Sequence, residues 1–424
     1  MRRLNALLSC LLLSCLSLTG LCYAKLGARL PMEGEVHLSG LFTKLQGRLD
    51  HPENRQRVRL THVGDSHIIA DFWTGEMREV MQRRYGDGGR GYVLPGKAWR
   101  SFGQRHIQHR TEGEWETANI KRGRGRGWFG PGGLVFRSSN PDDRLEIFTK
   151  ATQPASHFDR LDVLAVGRPG GGSYRLNVDS IPYGEVSTSA PYFSLLRTRY
   201  SLSEGAHRVS VSPSANGREI TILGFSLERE SGGLIYDAIG LNGAQAKQLL
   251  KNSQDALYAS LRALESDVVI LSYGINELFD HHYEPLRYER ELTETLRLIR
   301  EATPEASCLI TGPFAAMLKG KPHPGLDAMY ATQRMLASRY RCAFWDARAA
   351  MGDTLRPWQK ARLAGRDGIH LTVRGYQRIA ELFNESLELS FERWRAEQRA
   401  SEPISSDVAP SSQAEAPNGA SNQR

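Results

Sequence analysis

Polar and apolar positions change period several times along the chain, and each change predicts an element. Val58 and Leu60 alternate with arginines and lead into "THVG", which predicts a short strand ending at a glycine. Beyond Ser66, the residues Ile69, Phe72, Trp73, Met77, Val80, Met81 and Tyr85 recur at three- and four-residue steps. That is the period of an amphipathic helix, with Gly86 as its left-handed cap. Ser66 therefore falls at a strand-to-helix turn, where free N–H groups and the positive end of the helix dipole meet. The turn suits an exposed nucleophile whose attack creates an oxyanion. Ser66 or Asp65 acting only as a helix cap explains the same segment.

Residues 96–231 carry a different pattern, with short alternating runs such as "DRLEIFT", "LDVLAVG", "SYRLNVDSI", "HRVSVS" and "REITILGFSLE". Turn signals separate them, at "GRPGGG" (167–172) and Asn216-Gly217. This stretch reads as an antiparallel β-sandwich or jelly roll. From 232 the helical period returns. "AQAKQLLKNSQDALYASLRAL", "YERELTETLRLIREATP", "GLDAMYATQRMLASRY" and "LTVRGYQRIAELFNESLELSFERWR" predict helices, the last with Thr372 as N-cap. Between them, "DVVILSYG", "CLITGPF" and "CAFWDA" read as strands, the first apolar enough to be covered on both faces. Strands alternating with helices imply an α/β sheet flanked by helices. The first strand and helix match this part, so the simplest architecture is one α/β domain (25–95 and 232–395) interrupted by an inserted β domain (96–231). The polar, Pro/Ser-rich residues 396–424 read as a disordered tail.

Composition adds three constraints. The first 24 residues, with Arg2 and Arg3 ahead of an apolar run and small residues up to Ala24, read as a secretory signal, so the mature chain is expected in the periplasm. Cleavage before Cys15 at "LLSC" would instead leave a lipid-anchored protein, weakly associated with the membrane. The net charge of +8 suits an anionic polymer, but no aromatic-interleaved basic motif points to nucleic acid, and "IKRGRGRGW" (120–128) reads as a solvated loop. Of five cysteines, only Cys308 and Cys342 lie beyond the signal; a disulfide and two buried free thiols both fit their apolar surroundings.

A hydrolytic serine needs a base, and the base needs an orienting group. "RDGIHLTVRGY" supplies Asp367 and His370 in a loop before the last helix, and open α/β sheets gather such loops at the carboxyl ends of their strands. "SYGINELFD" places Asn276 directly after a buried strand, where its amide could meet an oxyanion; a turn role is the alternative. In "IGLNGAQ", Gly243 is the expected N–H donor and Gly240 the runner-up, against an ordinary loop.

In chain order the blocks are Gly-Asp-Ser66-His, the turn "NGA", Gly-x-Asn276-Glu and Asp367-x-x-His370. This arrangement resembles the SGNH (GDSL-like) hydrolase superfamily. The resemblance implies a flavodoxin-like parallel sheet, Ser66 as nucleophile, His370 as base, Asp367 as its orienter, and an oxyanion hole of Ser66, Gly243 and Asn276. Three departures stand out: His67 where many members have leucine, Glu277 in place of the usual Asp, and residues 67–242 between blocks that usually lie close together. With "RRYGDGGRGYVLPG" after the first helix, they resemble periplasmic peptidoglycan O-acetylesterases, which carry a carbohydrate-binding-like β module at that point. The implied reaction is removal of acetyl from the 6-hydroxyl of N-acetylmuramic acid.

The same machinery could act as an O-acetyltransferase, or on another acylated envelope glycan. A glycan-binding protein on an inactive scaffold is the non-enzyme alternative, disfavoured because every expected catalytic position is filled. No lid-like apolar segment suggests a lipase. Neither a metal nor an organic cofactor is expected: His62, Asp65 and His67 would scatter along a strand and turn, and no Cys/His zinc spacing occurs. His281 and His282 read as exposed loop residues. Oligomeric state has no signature in the sequence.

Overall fold

The computed structural model describes residues 26–122 and 127–401. The expected signal (1–24), the centre of the basic loop 120–128 and residues 402–424 of the expected tail lie outside them.

Five parallel strands form the central sheet: β1 (Arg57–Gly64), β2 (Gly233–Gly240), β3 (Val268–Ser272), β4 (Ser307–Thr311) and β5 (Ala343–Trp345). Their order is β2-β1-β3-β4-β5, the flavodoxin-like arrangement, with its topological switch point between β1 and β3. The near-continuous apolar strands follow from burial on both faces. Along β3, Val268 and Ile270 join one core with Leu60, Leu309 and Trp345, while Val269 and Leu271 join the other with Val63 and Ile310.

Two antiparallel sheets lie between β1 and β2 in sequence. One has five strands, from Gln108–Glu112 to Arg208–Pro213. The other has six, including Phe158–Gly167, Ser194–Gly205 and Ile220–Glu228. Gly91–Val93 pairs with Phe225–Leu227, so this sheet recruits backbone from before residue 96. A buried ionic network joins the insert to the central sheet. Arg59 of β1 donates to Asp237 of β2 (2.7 Å) and to Glu228 of the insert (2.8 Å), and the Tyr92 N–H donates to Asp237 (2.7 Å). Burial alone would raise the Glu228 carboxyl, but Arg59 and Arg160 outweigh it and hold it down at about 2.

Several local expectations need correction. The helix after Ser66 is two helices, α1 (Ser66–Ile69) and α2 (Trp73–Tyr85), parted at Asp71, whose φ is 53°. Gly86 closes α2 with φ 89° and ψ 150°, a positive φ outside the left-handed helical region. The run at 244–264 is also split, into a 3-10 turn (Ala246–Lys251) and a helix (Gln254–Ala263), because the Ser253 side chain accepts the Ala256 N–H and starts a new helix. "GLIYDAIG", which forms β2, and the helix Ser39–Asp50 had no counterpart in the sequence reading. The last helix, α3 (Val373–Ser401), runs past 395, since Ala396, Glu397, Gln398, Arg399 and Ala400 are good helix formers.

Cys308 and Cys342 form a disulfide between β4 and the residue preceding β5, at the end of the sheet away from the strand carboxyl termini.

Candidate active site

Strand register brings three loops to one point. Gly64 ends β1, level with Gly240 of β2 and Ser272 of β3. The segments 65–66, 241–244 and 274–277 therefore leave the sheet side by side. Gly240 permits this closeness: a Cβ there would stand 2.4 Å from the Ile69 nitrogen and 2.7 Å from the Asp65 carbonyl oxygen. Its part is to let the α1 turn pack, and the expected runner-up role as donor has no support in this geometry. Gly243 adopts φ 65° in the next turn, a conformation in which glycine is unstrained.

The fourth contributor is the loop before α3. The Gly365 N–H donates to the His370 carbonyl (2.7 Å) and the Thr372 N–H to the Leu363 carbonyl (2.9 Å), which close the loop on itself. Thr372 Oγ1 accepts the Gly375 N–H (3.2 Å) at the start of α3. His370 is thereby turned toward β1. Its Nε2 lies 3.0 Å from Ser66 Oγ, although 304 residues separate the two in sequence. Its Nδ1 lies 2.7 Å from Asp367 Oδ2, while Asp367 Oδ1 accepts the N–H groups of Ile369 and His370, each at 3.0 Å. Burial would raise the Asp367 carboxyl, but the Ile369 N–H and the imidazole outweigh it and hold it below the usual carboxylate range. An ionised carboxylate on Nδ1 favours the tautomer whose Nε2 can accept the serine proton.

Among the described residues, the N–H groups of Ser66 and Gly243 have no protein acceptor, so both remain available to a developing oxyanion. Asn276 differs from the expected free donor. It sits at the same mouth, with Oδ1 about 4.0 Å from where a Gly243 Cβ would be, but its NH2 group donates to Asp65 Oδ2 (3.0 Å) and to the Ala244 carbonyl (2.9 Å). In this arrangement Asn276 clamps the ends of three strands, and an oxyanion could take its N–H only by sharing.

Behind the serine is a set of buried polar groups. Asp65 Oδ1 accepts the His67 N–H (2.9 Å) as the cap of α1, so capping falls to Asp65 and leaves the Ser66 hydroxyl to His370. Burial pushes the Asp65 carboxyl up to about 7, against the pull of the His67 N–H and with help from the Glu277 charge. Glu277 is likewise pushed up to about 7 by burial, although it accepts N–H bonds from Ala246 (2.8 Å) and Gly274 (3.1 Å). His67 bonds Tyr376 through Nδ1 (2.7 Å), and its ring centre lies 5.2 Å from that of His370. Burial first, and the His370 charge second, lower His67 to about 3, so it stays neutral and forms a wall for the neighbouring imidazole.

The sequence reading missed Asp71. It is fully buried and accepts from Arg78 (2.9 Å), Arg90 (2.6 Å), Thr74 (2.7 Å) and the Arg105 N–H (2.9 Å). It ties α1 and α2 to the first loop of the insert. His281 and His282 are exposed. Among the described residues, no three His, Cys, Asp or Glu side chains lie close enough together to hold a metal ion.

One family model and one solved structure agree with this fold. Residues 200–378 match the model of the GDSL-like Lipase/Acylhydrolase family. The match contains Gly243, Asn276, Asp367 and His370 but begins after Ser66, as the long insert would dictate. The solved structure of a peptidoglycan O-acetylesterase is 26% identical, covers 84% of this chain and 96% of its own, and superposes with a TM-score of 0.71. Two others are distant: a putative GDSL-like lipase from Parabacteroides merdae (22% identity, 37% of this chain and 73% of its own, TM-score 0.32) and a family two carbohydrate esterase from Cellvibrio japonicus (12%, 68% and 98%, TM-score 0.30). No curated protein shows significant sequence similarity to the chain. The flavodoxin-like sheet, the GDSL-like match over residues 200–378 and the likeness to a peptidoglycan O-acetylesterase together support a carboxylic ester hydrolase of the SGNH type.

Proposed function

We propose that this hydrolase removes O-acetyl groups from peptidoglycan, at the 6-hydroxyl of N-acetylmuramic acid, through an acetyl-serine on Ser66. The observation that carries the proposal is the unbroken hydrogen-bonded chain from Asp367 through His370 to Ser66 Oγ at the sheet's switch point. His370 Nε2 takes the hydroxyl proton as Ser66 Oγ attacks the acetyl carbonyl. The oxyanion rests on the Ser66 and Gly243 N–H groups, with Asn276 holding both loops and, where shared, adding a third donor. Collapse expels the sugar oxygen, which takes the proton from His370. Water, deprotonated by the same imidazole, then attacks the acetyl-serine; acetate leaves and Ser66 regains its proton.

Peptidoglycan as the substrate is supported by the resemblance to a peptidoglycan O-acetylesterase along 84% of the chain. The net charge of +8 suits an anionic wall. We read the site of action as the periplasm; the N-terminal segment supports export, and the Cys308–Cys342 disulfide fits an oxidising compartment. The test is acetate release from O-acetylated peptidoglycan against acetylated xylan. A clear preference for peptidoglycan is expected, and a preference for xylan would reassign the polymer.

A further inference from the structure

Past Ile69 of α1 and Val373 of α3, three residues beyond Ser66 and His370, opens a cleft of about 580 Å³, inside the roughly 300–1,000 Å³ usual for small-molecule sites. Phe72, from the turn after α1, lines one side, and Gln377 of α3 and Asn242, next to Gly243, line another. The remaining wall comes from the insert, through Trp99, Ser101 and Arg105. The cleft thus neighbours the reacting groups, since Ile69, Asn242 and Val373 in its lining stand close along the chain to Ser66, Gly243 and His370, and it runs out along the insert's first loop.

Its chemistry is specific. Phe72 stacks on Tyr376, with ring centres 6.1 Å apart, yet stays 39% exposed. Trp99 is half-buried and fixed edge-to-face by Phe102, with ring centres at 5.0 Å. Among the described residues, the side chains of Ser101, Asn242 and Gln377 have no protein hydrogen-bond partner. The Arg105 charge is already matched by Glu76 (3.1 Å) and Glu79 (2.7 Å). The wall therefore offers aromatic surface and neutral donors and acceptors without an unpaired charge. Such a wall fits the C–H face, hydroxyls and acetamido groups of a pyranose, and fits neither a free anion nor a fatty chain. The loop is also fixed in place, since the Arg105 N–H is held by buried Asp71 at 2.9 Å.

We infer that this cleft takes the sugar side of the ester, one or two pyranose rings of the glycan. Trp99 and Gln377 are then specificity-determining residues, and the insert takes part in substrate selection through its first loop. The inference rests on the esterase reading of Ser66.

The experiment compares the full chain with Trp99→Ala on O-acetylated peptidoglycan and on p-nitrophenyl acetate, whose leaving group carries no sugar. The expected result is a kcat/KM about tenfold lower on the polymer, mostly through KM, with the small ester within about twofold. An unchanged polymer KM, or equal loss on both substrates, would overturn the assignment. If Trp99→Ala does not fold, Gln377→Ala on the face of α3 carries the same comparison. If the unmodified protein releases no acetate from peptidoglycan, the ratio is read on acetylated xylan, so a wrong polymer and a wrong cleft give different results.

Discussion

Asp71 Oδ2 and Arg90 Nη2 lie 2.6 Å apart with both side chains sealed from solvent, and this contact joins the turn that carries Ser66 to the segment leading into the insert. Burial would raise the Asp71 carboxyl, but Arg78 and Arg90 outweigh it and hold it at about 2; burial and the neighbouring Arg78 charge push Arg90 down to about 10. Asp71 and Arg90 are therefore both charged near neutral pH. Removing the carboxylate strands two buried guanidinium groups, which costs about 3–5 kcal/mol. Asp71→Asn keeps a residue type tolerant of the positive φ, so its loss of stability should reflect the charge. Denaturant unfolding should show a drop of that size, and a change under about 1 kcal/mol would count against the hub.

A pH-dependent stability should come from Glu277. Its folded value of about 7 lies above the ordinary 4.5, so its contribution is full below about pH 4.5 and is lost as pH rises through about 7. Glu277→Gln cannot ionise. The variant should be less stable near pH 5, because one of the Ala246 and Gly274 N–H bonds is lost, at about 1–3 kcal/mol. Its melting temperature should then fall less between about pH 5 and about pH 8 than that of the unmodified protein. Equal slopes in thermal melts would contradict the assignment.

The Cys308–Cys342 bridge closes a loop whose ends are 34 residues apart, for which chain entropy gives about 3–4 kcal/mol. The double serine variant should melt earlier. Because the bridge lies at the far end of the sheet from Ser66, kcat on p-nitrophenyl acetate at low temperature should be unchanged. A kcat loss matching the loss of stability would mean that the two ends are coupled.

Asn276 bridges Asp65 and Ala244 and so fixes the turn of Ser66 relative to the loop of Gly243. Asn276→Ala should lower kcat by roughly a hundredfold, with a much smaller change in KM. Steady-state kinetics on the small ester would check this, and a near-normal kcat would show that the backbone N–H groups suffice.

Ser66, Asn276, Asp367 and His370 could be singled out from the sequence because each stands where a strand or helix pattern breaks, and an α/β sheet sends such breaks to one edge. The break at Asp71 left no such mark: three arginines that meet it only in the folded chain hold its positive φ. Strand β2 was equally hidden, since "GLIYDAIG" is a short apolar run at the return from the insert with no alternation to date it. The direction of the Asn276 amide depends on Asp65, 211 residues away. Local pattern thus revealed which residues end strands, while the partners that turn each side chain are set by contacts across the fold.

The central claim is that Ser66 Oγ, activated by His370, attacks the acetyl group, and the most direct test is acetate release from O-acetylated peptidoglycan by Ser66→Ala. Turnover should fall by at least about ten-thousand-fold while the melting temperature stays close to that of the unmodified protein. Acetate release by Ser66→Ala at the rate of the unmodified protein would contradict the account.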